Sequence, residues 1–142
     1  MKVKDIMTAR VVSISREATV TDAARTMRDE QVGCVLVVED EKLVGILTDR
    51  QITHTVIAAG DDPREVTVGD VMHEKFVPLE PEMDLLQALR LQRELAMRRL
   101  PVVEDGTPVG IVSVSDIAAF VREGVDTILM EGTVRVRRRD EK

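Results

Sequence analysis

"GIVSVSDI" spans Gly110–Ile117, and sixty-five residues earlier "GILTDRQI" spans Gly45–Ile52. In both, an apolar run that opens on glycine reaches a hydroxyl residue, Thr48 or Ser113, and turns into a helical pattern. Two such corners in one chain invite comparison of everything around them.

The same offset aligns "VKDIM" at Val3 with "VGDVM" at Val68, "VVED" at Val37 with "VVED" at Val102, and "VGI" at Val44 with "VGI" at Val109. No gap is needed, so the chain reads as a duplication of one supersecondary unit. Val20, Ala23, Ala24 and Met27 recur at helical spacing and are matched by Leu85, Ala88, Leu89 and Gln92. Thr19 or Thr21, and Asp84, are the expected N-caps. The extended stretches "VVSIS" and "FVPLE" precede those helices, and two apolar runs joined by "EDEK" or "EDGT" follow them as hairpins. Each copy closes with a helix, expected over about 49–59 and about 115–122.

The fold class is thus α/β (α+β), two βαββα repeats packed through their sheets. We assign 1–60 to the first repeat, 61–65 to a linker, 66–124 to the second repeat and 125–142 to a C-terminal tail. Gly60 ends one helix and Pro63 prevents its continuation. The tail "GTVRVRRRDEK" alternates valines with arginines, which fits an extra edge strand or a disordered basic end.

A formal net charge of −6 argues against a general polyanion binder, and nucleic acid is not an expected partner. With two Phe and no Tyr or Trp there are almost no rings on which bases could stack. The single cysteine excludes an internal disulfide framework, and with only two histidines beside it a structural zinc site is not expected. "MKVKDIMT" lacks the apolar core of a signal peptide, and no apolar run reaches the length of a membrane span, so a cytoplasmic location is expected. His54 and His73 have no nucleophile or carboxylate partner at motif spacing, and no enzymatic activity is expected.

The paired stretches "RRLPVVEDGTPVGIVSVSDI" and "GCVLVVEDEKLVGILTDRQI", each with its "DIMT"-like lead-in, resemble a tandem pair of cystathionine-β-synthase (CBS) domains, the Bateman module. The resemblance spans about 3–122. It implies a pseudo-twofold axis and two clefts for adenosine ligands such as AMP, ADP, ATP, NAD(H) or S-adenosylmethionine, with no cofactor required. It also implies regulation of an unidentified partner protein, and a homodimer formed through the exposed faces of the long helices.

In such modules the S/T-x-x-D corner contacts the nucleotide, and Ser113, Ser115 and Asp116 match it. A carboxylate accepts hydrogen bonds from both ribose hydroxyls, and a hydroxyl beside a helix start joins backbone N–H groups on a phosphate. By the same resemblance Arg98 and Arg99, ahead of Leu100 and Pro101, reach phosphates, and adenine lies against Val11 and Val12 near Thr8. The other corner keeps Thr48 but carries Gln51, with Gly33 and Cys34 where the second repeat has Arg98 and Arg99. A neutral amide has one acceptor oxygen and no charge, so this is the weaker site, with Arg50, His73 and Lys75 as its remaining contacts.

Simpler roles compete for each residue. Asp116 with Ser113 and Ser115 fits helix capping, Arg98 and Arg99 fit a solvated helix end, and Cys34 fits a small core residue. A structural or dimerisation module with vestigial pockets is the alternative function.

Overall fold

The computed structural model describes residues 1–95 and 97–140, with side chains described through Met130 apart from Ala96. The first repeat comprises a short strand β1 (Ser13–Ile14), helix α1 (Val20–Glu30) and the antiparallel hairpin β2 (Cys34–Glu39) and β3 (Lys42–Thr48). Helix α2 (Asp49–Gln51) follows and widens at once into π-helical turns over Ile52–Ile57. The second repeat comprises α3 (Val68–Val71), α4 (Leu85–Leu95), the hairpin β4 (Arg99–Glu104) and β5 (Thr107–Ser113), and α5 (Val114–Asp140).

Local chemistry explains these elements. Thr19 caps α1 in a reciprocal box: its side chain accepts from the Asp22 N–H at 3.1 Å, and the Asp22 carboxylate accepts from the Thr19 N–H at 3.2 Å. Asp84 plays a similar part ahead of α4, accepting from the Leu86 N–H at 3.2 Å. Val20, Ala23 and Met27 form the buried stripe of α1, and Leu85, Ala88 and Gln92 that of α4. In both hairpins the register slips one residue before the end, between Val37 and Val38 and between Val102 and Val103.

Three expectations change. The first strand of the second repeat shrinks to a single parallel bridge, Leu79 to Val102, because Pro78 and Pro81 flank Leu79 and offer no N–H for a longer ladder. The helix expected over 49–59 is π-wound, as the Ala58 N–H reaches Thr53 O at 2.9 Å. Here Thr53 donates its hydroxyl to the Asp49 carbonyl, and Thr55 to that of Gln51, so these side chains compete for helix acceptors. The tail is not an edge strand: α5 runs through Asp140 instead of stopping near Arg122. No proline interrupts it, and Val121, Val125 and Ile128 continue a helical stripe that the Val134–Val136 alternation obscures in sequence. Glu141 and Lys142 lie outside the described residues.

The two repeats exchange their lead-ins. Val3, in a 3-10 turn over Val3–Asp5, is fully buried in the second core with Leu79, Leu85, Leu100 and Val112. Val68 and Met72 are buried in the first core with Val20, Val35, Leu47 and Val56. Each lead-in then pairs with the other repeat's hairpin: Thr8 and Ile111 exchange hydrogen bonds of 2.9 and 3.0 Å, and His73 and Ile46 exchange bonds of 2.8 and 3.0 Å. The glycine of each "VGI" makes this approach possible. A Cβ on Gly45 would lie 2.4 Å from Met72 Sδ, and one on Gly110 would lie 2.8 Å from Met7 Sδ and from Thr8 O. Where the hairpins meet, the Leu43 N–H donates to Gly106 O at 3.0 Å.

Candidate functional site

The crossing of lead-ins opens a cleft of about 300 Å³ between the repeats. One wall is Thr8, Arg10 and Val12, where the first lead-in runs along the second hairpin. A second wall is Gln31, Val32, Gly33 and Cys34, where α1 ends with Gln31 in the left-handed region and turns into β2. Arg99, Ile111, Ser113 and Asp116 close it from the second repeat.

Ser113 and Asp116 hold each other. The Ser113 N–H donates to Asp116 Oδ2 at 3.1 Å, and the Asp116 N–H donates to Ser113 Oγ at 3.1 Å, which makes Ser113 the N-cap of α5. Capping therefore engages one carboxylate oxygen, and Oδ1 has no hydrogen-bond partner among the described residues. Capping thus leaves the second oxygen of the same carboxylate available as an acceptor.

Across the hairpin Ser113 is paired with Arg99, whose guanidinium lies on the backbone of the other repeat. Arg99 Nη1 donates to Gly33 O at 3.3 Å and lies 3.7 Å from Asp49 Oδ1. Any side chain at position 33 would collide with it, since a Cβ there would lie 2.4 Å from Arg99 Nη2. Beside it, burial pushes the Cys34 thiol above its ordinary range, against the opposing pull of the Arg99 charge. Cys34 is therefore an uncharged wall residue at neutral pH.

The sequence-derived set divides in space. Thr8, Val12, Arg99, Ser113 and Asp116 share the cleft, whereas Arg98 and Ser115 line a neighbouring depression of about 310 Å³ with Asp49, Arg50 and Val114. Arg99 and Ser113 border both. Leu100 is fully buried in the second core, Pro101 is buried opposite Ile111 in the ladder, and Val11 is partly buried beside the cleft. Arg10, Gln31, Val32 and Ile111 are cleft residues the sequence reading missed. The sixty-five-residue offset held a signal for one of them, because Arg10 aligns with Lys75, which was named.

At the other corner Gln51 turns its amide to the incoming lead-in. Thr48 Oγ1 accepts from the Gln51 N–H at 3.2 Å, and Gln51 Nε2 donates to the carbonyl of Val71 in the incoming lead-in. Gln51 Oε1 is buried without a partner among the described residues. An aspartate here would offer no donor to Val71 O, so the amide is explained by packing of α3. His73 is committed through its backbone to Ile46, while Arg50 and Lys75 remain exposed.

Duplicated α+β halves with a ligand-sized cleft between them define a two-repeat binding module. The CBS domain model matches residues 3–58 and again 68–123, and the chain belongs to the CBS-domain family. It is 40% identical over 116 residues to the CBS domain-containing protein YhcV of Bacillus subtilis, covering 82% of each chain. To hypoxic response protein 1 of Mycobacterium tuberculosis it is 34% identical over 121 residues, covering 84% of this chain and 85% of the relative. Among solved structures, the hexameric CBS-CP12 protein from bloom-forming cyanobacteria superposes with a TM-score of 0.75 at 35% identity, covering 83% of this chain and 69% of that one. Tandem CBS domains are generally regulatory ligand-binding modules. No helix among the described residues is long and apolar enough to cross a membrane.

Proposed function

We propose that this chain is a regulatory sensor that binds an adenosine nucleotide in the Asp116 cleft and modulates a partner protein. The observation that carries the reading is the cleft itself: a free carboxylate oxygen, a hydroxyl and a guanidinium converge on a space with aliphatic walls. Its volume is at the small end of the ~300–1,000 Å³ usual for small-molecule sites, which suits one nucleoside with its phosphates leaving past Arg99. Asp116 Oδ1 receives ribose hydroxyls, Arg99 and Ser113 meet the phosphate, and Val12, Val32 and Ile111 flank the base. Arg98, Arg50 and Ser115 lie along the phosphate exit. Because the walls come from both repeats, an occupant favours one relative placement of the halves, which is the differential affinity that signalling requires. The ligand is AMP, ADP, ATP, NAD(H) or S-adenosylmethionine, and the working form is a homodimer in the cytoplasm without catalytic activity.

Thermal unfolding with each ligand tests this. A ligand at a hundred times its dissociation constant adds about 2.7 kcal/mol, a shift of several degrees. Asp116→Asn keeps an oxygen for the Ser113 N–H while removing the charge, so the cap survives and the ligand-induced shift should fall sharply. If no ligand moves the wild-type midpoint, the docking reading takes over, supported by the exposed apolar residues of α5.

A further inference from the structure

Arg99 stands where two depressions meet, since it and Ser113 line both the Asp116 cleft and the neighbouring hollow of about 310 Å³. The hollow sets Arg50, Arg98 and Arg99 against one carboxylate among its described lining residues, that of Asp49. Asp49 comes from the first repeat and Arg99 from the second, yet both are fixed by one backbone atom. The Asp49 N–H donates to Gly33 O at 2.9 Å, and Arg99 Nη1 donates to the same oxygen at 3.3 Å. The missing side chain of Gly33 gives the guanidinium its seat, because a Cβ there would lie 2.4 Å from Nη2. Asp49 Oδ1, which also accepts from the Arg50 N–H at 2.8 Å, then lies 3.7 Å from Arg99 Nη1.

At that distance the two form an ion pair without a charge-assisted hydrogen bond, and with side chains 62% and 38% exposed the pair is weak. The other arginine of the cleft is held more firmly, because Arg10 reaches both the carboxylate and the carbonyl of Glu30. Arg99 is therefore the cation that an incoming phosphate can take, and Asp49 is the group it must displace. A phosphate monoester, with more than one negative charge and several acceptor oxygens, suits the planar fork better than a carboxylate so placed. We propose that Asp49 is a specificity-determining residue of the cleft: an internal anion that competes with the ligand's phosphate for Arg99 and so sets how tightly phosphorylated nucleosides bind relative to unphosphorylated ones. Because the pair joins the start of α2 to β4, its displacement also removes a tie between the repeats. This role rests on the Asp116 cleft being a nucleotide site and adds the residue that opposes the ligand there.

Isothermal titration calorimetry of AMP, ATP and adenosine into wild type, Asp49→Asn, Arg99→Gln and the double variant tests it. The asparagine keeps an oxygen for the Arg50 N–H, and thermal unfolding without ligand checks that each variant is folded. Asp49→Asn should tighten AMP or ATP by about three- to tenfold, and the gain should shrink as salt is raised. Adenosine, with no phosphate to compete for Arg99, should bind Asp49→Asn as it binds wild type. In the Arg99→Gln background the gain should fall by about half or more, since only screened repulsion across the hollow remains. Phosphorylated ligands that bind Asp49→Asn no more tightly, an equal gain for adenosine, or a gain undiminished by Arg99→Gln overturns the role of Asp49 and leaves the nucleotide reading standing. A folded wild type that binds none of the three removes the nucleotide reading, and this role with it.

Discussion

The first core is closed by Val68 and Met72 from the second repeat, and the second core by Val3 from the first. Both halves also need a glycine in the third strand to admit the visiting methionine. Yet at equivalent helix positions the first half buries Met27 and the second buries Gln92, and at equivalent corners stand Gln51 and Asp116. Residues that serve the exchange are alike in the two copies, and residues that face a corner or a local contact have diverged. Duplication thus supplied a scaffold whose symmetry is enforced by packing, while its two corners took different work: one holds the incoming helix through Gln51, and the other keeps a carboxylate oxygen free.

The largest effect should come from breaking the exchange. Val3→Ala and Val68→Ala each remove a fully buried side chain and should cost about 1–3 kcal/mol in urea unfolding. Amide hydrogen exchange should rise across 100–112 for Val3→Ala and across 34–47 for Val68→Ala, in each case in the other repeat. Loss confined to the mutated residue's own repeat would contradict the exchange.

Swapping the two helix residues sharpens the comparison further. Gln92 is 4% exposed, donates through Nε2 to Val112 O at 3.3 Å and leaves its side-chain Oε1 without a partner among the described residues. Gln92→Met should therefore raise stability by about 1 kcal/mol, whereas Met27→Gln, which buries a new amide, should lower it by about 1–3 kcal/mol. Equal and like-signed effects would show that the two cores are chemically equivalent at this position.

The smallest effect lies at the surface, where Glu82 binds Lys2 and Lys4 and fastens the first lead-in to the second repeat. Hydrogen bonds from Lys2 and then Lys4 hold its carboxyl at about 2, below an ordinary value of 4.5. A depressed carboxylate contributes stability above its unfolded value and loses it as pH falls through the folded one. Wild type should therefore lose a small increment between pH 4.5 and pH 2 that Glu82→Gln lacks, and the difference should shrink in high salt. The equivalent carboxylate of the first repeat, Glu17, is held below its ordinary value by the Ser15 hydroxyl instead of a lysine, so its titration should respond less to salt.

The corner of the second repeat was legible because each of its parts is local. Ser113 and Asp116 are three residues apart at a strand-to-helix turn, so spacing alone brings their groups together. The opposite wall of the cleft was not legible, since Gln31, Val32 and Gly33 reach it only through the way α1 ends and the way Arg99 crosses to Gly33 O. Arg98 was placed with Arg99 by the family resemblance, but Arg98 lies at a bend ahead of β4 and lines only the neighbouring depression, whereas Arg99 lines both. The tail failed for a different reason: two valines at alternate positions carry a strand period too short to outweigh the helix that precedes them.

By itself, the sequence determined the duplication, the βαββα order, the buried stripes of α1 and α4 and the capped corner at Ser113, because repetition, periodicity and capping act within a few residues of chain. Only the tertiary structure decided that the lead-ins change places, that Gln51 is spent on Val71, and that Arg99 closes a cleft whose far wall belongs to the other repeat. Those outcomes depend on contacts between segments well separated in the chain, 20 residues for Gln51 with Val71 and 66 for Arg99 with Gly33, which hydrophobic burial and close packing select only when both halves are present.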